Sequence, residues 1–84
     1  MPGDEAELLR RSFRVAGHQT SLSMERAFWD EFRRLAQADG RSMTDLIAEI
    51  DAGRTAKLST VGLSRSVRVY ILNRLRAVVT SSGT

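Results

Sequence analysis

From Leu8 to Val15 apolar and polar residues interchange in the period of a β-strand, and past Ala16 and Gly17 the alternation resumes, with Thr20, Leu22 and Met24 set against Gln19, Ser21 and Ser23. The phase differs between the two stretches: Phe13 and Val15 are odd, Leu22 and Met24 even. Neighbouring strand residues point to opposite faces, so burying both sets requires a bulge or a tight turn near Ala16, Gly17 and His18. Gly17 is the natural place for it. Met1 to Glu7 shows no apolar period and reads as a frayed lead.

From Met24 to Ala38 the spacing becomes helical, with Phe28, Phe32, Leu35 and Ala36 in one stripe and Asp30, Glu31, Arg33 and Arg34 outside it. Ser23 is placed to cap this helix and Gly40 to stop it. Ser42 then caps a second helix, with Asp45 three residues on, in which Met43, Leu46, Ile47 and Ile50 follow the i, i+3, i+4, i+7 pattern. It ends near Gly53. The small, polar stretch from Gly53 to Gly62 reads as a loop. Ser64 caps a third helix reaching about Val79, striped by Val67, Ile71, Leu75 and Val78 and widened by Val69, Tyr70 and Leu72. The expected organisation is a lead over 1–11, a core over 12–53, a loop over 54–63, a helix over 64–79 and a disordered tail over 80–84.

Eighty-four residues leave room for one domain. A hydrophobic share of 42% against 27% charged is that of a chain that folds. No apolar run approaches the roughly 18 residues of a membrane span, and the acidic start is unlike a secretory signal, so the cytoplasm is the expected compartment. The absence of cysteine excludes disulfides and thiolate zinc sites, and His18 alone cannot build a histidine cluster. No cofactor is expected. The net charge of +3 comes from twelve arginines and Lys57, and guanidinium suits forked contact with phosphates and base edges, which makes nucleic acid a leading candidate partner. Asp30, Glu31, Asp45 and Glu49 read as ion-pair partners of Arg33, Arg34 and Arg41 rather than as acid/base pairs, and Trp29 as core or dimer packing. No nucleophile elbow, phosphate-cradling glycine loop or metal-ligand spacing appears, so catalysis is not expected.

A strand at His18–Ser23 has only the short Phe13–Val15 beside it in this reading and needs another strand. The same segment of a second copy would supply one about a twofold axis and let Leu22, Phe28, Phe32, Leu46, Ile47 and Ile50 close a shared core. The stretch GHQTSLSMERAFWDEFRRLAQADGRSMTDLIAEID, running from Gly17 to Asp51, resembles the ribbon-helix-helix DNA-binding family. With LSRSVRVYILNRLR after it, the chain resembles a subfamily carrying an added third helix. The resemblance implies a mostly α fold with a short β-ribbon, assembled as a homodimer whose ribbon enters the major groove of double-stranded DNA.

It further implies that Gln19, Ser21 and Ser23 face outward as base readers, while Thr20 joins the dimer core with the apolar residues above. Gln suits adenine, and Ser can bond several base edges. None of the three is basic, so added charge would come from Arg14 and His18 as accessory contacts. In the family the start of the second helix grips a phosphate, which points here to Arg41, Ser42, Met43 and Thr44, where unpaired N–H groups and the helix dipole favour an anion. The function so implied is a sequence-specific transcriptional regulator, most simply a repressor. The alternative is a dimeric protein-interaction module, antitoxin-like or an adaptor, using the broad apolar face of the third helix to hold a protein partner.

Overall fold

Two strands and three helices follow one another in the computed structural model, which describes residues 4–56 and 62–82: β1 (Leu8–Val15), β2 (His18–Glu25), α1 (Arg26–Ala38), α2 (Met43–Ala56) and α3 (Leu63–Ser82). Among the described residues β1 and β2 form one two-stranded antiparallel sheet, paired along their full length from Leu8↔Glu25 to Val15↔His18. The strand at His18 therefore has an eight-residue partner within its own chain, longer than the Phe13–Val15 neighbour expected from the sequence. Residues Leu8–Arg11, assigned from sequence to the lead, are strand, paired with Leu22–Glu25 of β2.

The turn between the strands consists of Ala16 and Gly17, with φ of 52° and 84°. Positive φ at both central residues of a two-residue hairpin loop is the type I′ arrangement, whose twist matches that of the flanking strands. With this loop, partners across the ladder have one odd and one even number. That accounts for the change of phase: Phe13 and Val15 lie on the same face as Leu22 and Met24.

The helix ends follow local chemistry. α1 begins after Glu25, two residues later than the spacing suggests, and has no side-chain cap. Its first N–H groups instead find main-chain acceptors in the segment before β1. Arg26 N–H donates to Glu7 O at 2.8 Å and Ala27 N–H to Glu5 O at 3.0 Å, and Arg26 also pairs with the Glu7 carboxylate at 3.0 Å. Glu5 and Glu7, expected to be frayed, thus serve as a cap. Ser23, the expected cap, lies inside β2 and donates its own N–H to Ser64 Oγ at 3.2 Å. Ser64 in turn is a first-turn residue of α3, which starts one residue earlier than expected.

At the far end of α1, Gly40 has φ 68°, Gly40 N–H reaches Gln37 O and Arg41 N–H reaches Ala36 O, the paired bonds of a Schellman stop. Ser42 caps α2 as expected, its Oγ accepting from Asp45 N–H at 3.0 Å. α2 continues through Gly53 to Ala56, and α3 runs to Ser82, beyond the expected end at 79. Residues 57–61 of the expected loop and 83–84 of the expected tail lie outside the described residues.

The core draws on every element. Val15, Leu22 and Met24 come from the inner face of the hairpin, Trp29, Phe32, Leu35 and Ala36 from α1, Leu46 and Ile47 from α2, and Val67 and Ile71 from α3. Trp29 is buried, although it stands one position off the stripe of α1. Its indole N–H donates to Leu9 O at 2.9 Å and its ring lies 5.8 Å from that of Phe13, so it is the bolt between α1 and β1. On the opposite side Arg74 of α3 holds both oxygens of Asp39 at 2.9 Å and donates to the Tyr70 hydroxyl at 2.7 Å, clasping α3 to the end of α1. Of the residues assigned to a shared dimer core, Leu22, Phe32, Leu46 and Ile47 are thus buried within one chain, while Thr20, Phe28 and Ile50 are half-buried.

Candidate nucleic-acid interface

Because the ladder pairs odd with even, the two faces of the hairpin have distinct compositions. The inner face carries Leu9, Arg11, Phe13 and Val15 opposite Met24, Leu22, Thr20 and His18. The outer face carries Leu8, Arg10, Ser12 and Arg14 opposite Glu25, Ser23, Ser21 and Gln19. Gln19 and Ser21 are exposed and Ser23 half-buried, so the structure brings the three candidate readers into one row. Arg14 joins them as the cross-strand neighbour of Gln19. His18 does not: it is exposed at the tip of the ribbon on the other face.

The outer face is also basic, as the sequence of β2 alone does not suggest. Arg10 stands opposite Ser23 and Arg14 opposite Gln19, with the Ser12 and Ser21 hydroxyls 3.1 Å apart between them. Among the described residues neither arginine has a carboxylate partner; Arg14 reaches only Gly17 O, at 3.4 Å across its own turn. By contrast Arg26, Arg33, Arg34, Arg41, Arg68 and Arg74 each sit in an ion pair. Arg11, on the inner face, lies over the Trp29 ring at 5.5 Å. The one carboxylate of the outer face, Glu25, is at the end remote from the turn. It is held below the usual carboxylate range first by its own backbone N–H and then by Arg68, which bonds it at 3.2 Å and offsets its charge locally.

The start of α2 brings Arg41, Ser42, Met43 and Thr44 together as expected. The N–H groups of Met43 and Thr44 lack a carbonyl one turn back in the helix and project from its positive end. Arg41, however, is engaged with Glu49 one and a half turns along α2, and its guanidinium is held protonated first by that bond. Asp45 adds a carboxylate in the first turn. An anion at this helix end therefore competes with two acidic groups, whereas the ribbon face competes with none near its tip.

Arg10 and Ser12 are the candidate residues that reading β2 by itself misses. Their signal was present in the sequence: once the turn is placed at Ala16–Gly17, Arg10, Ser12 and Arg14 take the same side as Ser23, Ser21 and Gln19.

A second surface lies on α3. Val67 and Ile71 are buried, but Val69, Leu72, Leu75 and Val78 are exposed, Val69 by 50% and Leu72 by 46%. With Phe28 of α1, several of these line a shallow groove of about 280 Å³. Among the described residues no helix is long and apolar enough to cross a membrane, and no cluster of acidic, histidine or cysteine side chains is suited to a metal.

Comparison with known proteins agrees with this architecture. A family model described as a ribbon-helix-helix domain matches residues 8–75, which takes in β1 and most of α3 as well as the central elements. A solved structure of an uncharacterized protein from Bordetella pertussis Tohama I superposes with a TM-score of 0.75 at 28% identity, over 94% of this chain and 62% of that one. The chain thus spans less than two thirds of that protein's length. No curated protein matches.

Proposed function

Because the chain belongs to the ribbon-helix-helix family, whose members in general dimerise and bind DNA, we propose that it is a sequence-specific DNA-binding regulator, a repressor in the simplest case. The hairpin enters the major groove with Gln19, Ser21 and Ser23 against base edges. Arg41, Ser42, Met43 and Thr44 lie against a flanking phosphate once Arg41 has exchanged Glu49 for it. The observation that carries this reading is the polar, exposed row on one face of a ribbon whose other face is core. Two strands about 4.8 Å apart fit a groove about 12 Å wide. Such a ligand would be met in the cytoplasm.

The test is binding to duplexes recovered from a random pool. Gln19→Ala should lose about 1 to 3 kcal/mol on the preferred site and little on random duplex, with the fold intact because the side chain points away from the core. Arg41→Ala should weaken binding to all duplexes alike and flatten the salt dependence by about one unit of slope. A wild-type chain whose affinity for duplex does not fall with salt would refute the reading.

The exposed stripe of α3 supports a second contact, with another copy of the chain. The family acts through dimers, and the β2 edge that could pair with a second copy is engaged at Ser23 by Ser64. Association through Val69, Leu72 and Leu75 would leave both ribbons free to reach two half-sites.

A further inference from the structure

We propose that Arg74 of α3 is a positioning residue for the phosphate contact at the start of α2: by holding the Asp39 carboxylate it keeps that carboxylate from taking Arg41. This rests on the phosphate contact proposed above and goes beyond it in giving the third helix a part in DNA affinity.

Three observations carry the inference. First, the start of α2 is reached through a short turn. Asp39 closes α1, Gly40 and Arg41 follow, and Ser42 caps α2, so the Asp39 carboxylate stands two residues before the guanidinium that is to meet the phosphate. The two groups act on each other: Asp39 is held below the usual carboxylate range first by its bonds from Arg74 and last by the charge of Arg41. Second, α3 engages Asp39 completely. Both carboxylate oxygens accept from the Arg74 fork at 2.9 Å, and the same guanidinium donates to the Tyr70 hydroxyl at 2.7 Å. Tyr70 stands edge-on to the core ring of Phe32 at 6.4 Å, so the fork is held in place from α1 as well. Third, the two ion pairs at this end of the molecule differ in shelter. The Arg74 and Asp39 side chains are 33% and 27% exposed, whereas Arg41 and Glu49 are 37% and 56% exposed. The Arg41–Glu49 pair is the one that yields to an incoming phosphate, and the Arg74–Asp39 pair the one that persists.

The backbone of the turn needs no help from α3. Gly40 N–H and Arg41 N–H already bond to Gln37 O and Ala36 O, and Ser42 Oγ already accepts from Asp45 N–H. What Arg74 adds is control of charge. Arg41 already feels Glu49 and then Asp45. Without Arg74, the free Asp39 carboxylate joins them from two residues away, and Arg41 must leave a further acidic group before it can reach a phosphate. The bidentate fork suits this task, because it occupies both oxygens of the carboxylate at once.

The experiment measures affinity of the full chain for duplexes recovered by the wild type from a random pool, and for random duplex, over a series of salt concentrations. The variants are Arg41→Ala, Arg74→Gln, Arg41→Ala with Arg74→Gln, and Asp39→Asn with Arg74→Gln. Arg74→Gln should weaken binding to all duplexes alike by about 2- to 30-fold and flatten the salt dependence toward that of Arg41→Ala. Adding Arg74→Gln to Arg41→Ala should cost less than about 2-fold more, because the group through which Arg74 acts is gone. Asp39→Asn with Arg74→Gln should recover the wild-type affinity to within about 2-fold, since no carboxylate remains there to take Arg41. That double variant lacks the clasp just as Arg74→Gln does, so a loss caused by weakened folding would persist in it. If Arg74→Gln binds like the wild type, if its loss multiplies with that of Arg41→Ala, or if Asp39→Asn fails to rescue it, the proposal is overturned while the phosphate contact stands. If Arg41→Ala leaves affinity and salt dependence unchanged, the phosphate contact is wrong and the proposal falls with it.

Discussion

The Ala16–Gly17 turn decides whether β1 and β2 form one hairpin, and two substitutions there should act in opposite directions. Ala16 has φ 52°, a region in which a Cβ meets the following carbonyl at a cost of about 1 to 2 kcal/mol. Asparagine tolerates this conformation, and Asn-Gly is the preferred pair in type I′ turns, so Ala16→Asn should recover about 0.5 to 1 kcal/mol. Gly17 has φ 84° and open space where a Cβ would stand. Gly17→Ala is therefore a pure backbone penalty and should lose about 1 to 2 kcal/mol. For a domain of this size each kcal/mol corresponds to about 4 to 8 °C of Tm. Ala16→Asn should then raise Tm by about 2 to 8 °C, and Gly17→Ala should lower it by about 4 to 16 °C. Trp29, the single tryptophan, is buried against β1 and reports the transition by its fluorescence. Equal Tm values for the two variants and the parent would mean that neither residue is left-handed, and the intrachain hairpin would have to be abandoned.

Other expectations follow from particular contacts. Trp29→Phe removes the indole donor to Leu9 O, so it should cost about 0.5 to 1.5 kcal/mol in urea unfolding and increase amide exchange across β1; unchanged exchange there would show that the bolt is not made. Asp39 is held below the usual carboxylate range first by its bonds from Arg74, as Glu25 is by its own N–H and then Arg68. A lowered folded pKa means the stabilisation is complete above the unfolded values near about 4 and is lost as pH falls through the folded ones. Arg74→Gln should weaken that loss, and urea midpoints measured from pH 6 down to pH 2 that fall identically in the variant would contradict the clasp. Leu72→Arg should shift sedimentation from dimer to monomer while preserving the melting transition; a parent that is monomeric at high micromolar concentration would remove the proposed contact.

Much of the fold was legible in the chain because it depends on period and punctuation. Alternation marked β2 and the Ser12–Val15 half of β1, the 3.6-residue stripes marked three helices, and Gly40 with Ser42 marked the break between α1 and α2. These signals are local: each is written within a few residues of where it acts. The change of phase at Gly17 even implied a turn, and with it the joint outer face of Arg10, Ser12, Arg14, Gln19, Ser21 and Ser23.

What tertiary structure alone decided are matters of partner and length. That Leu8–Val15 pairs with β2 along its full length cannot be read from alternation; it goes with Trp29 of α1 reaching Leu9 O. The start of α1 moved past Ser23 because backbone carbonyls of Glu5 and Glu7 satisfy its first N–H groups, acceptors that no side-chain capping pattern records. Which arginines lack a carboxylate partner among the described residues was likewise hidden, since ion pairs such as Arg74–Asp39 and Arg68–Glu25 join residues more than thirty positions apart. A charge in the sequence is a property of one residue. Its availability is a property of everything folded around it.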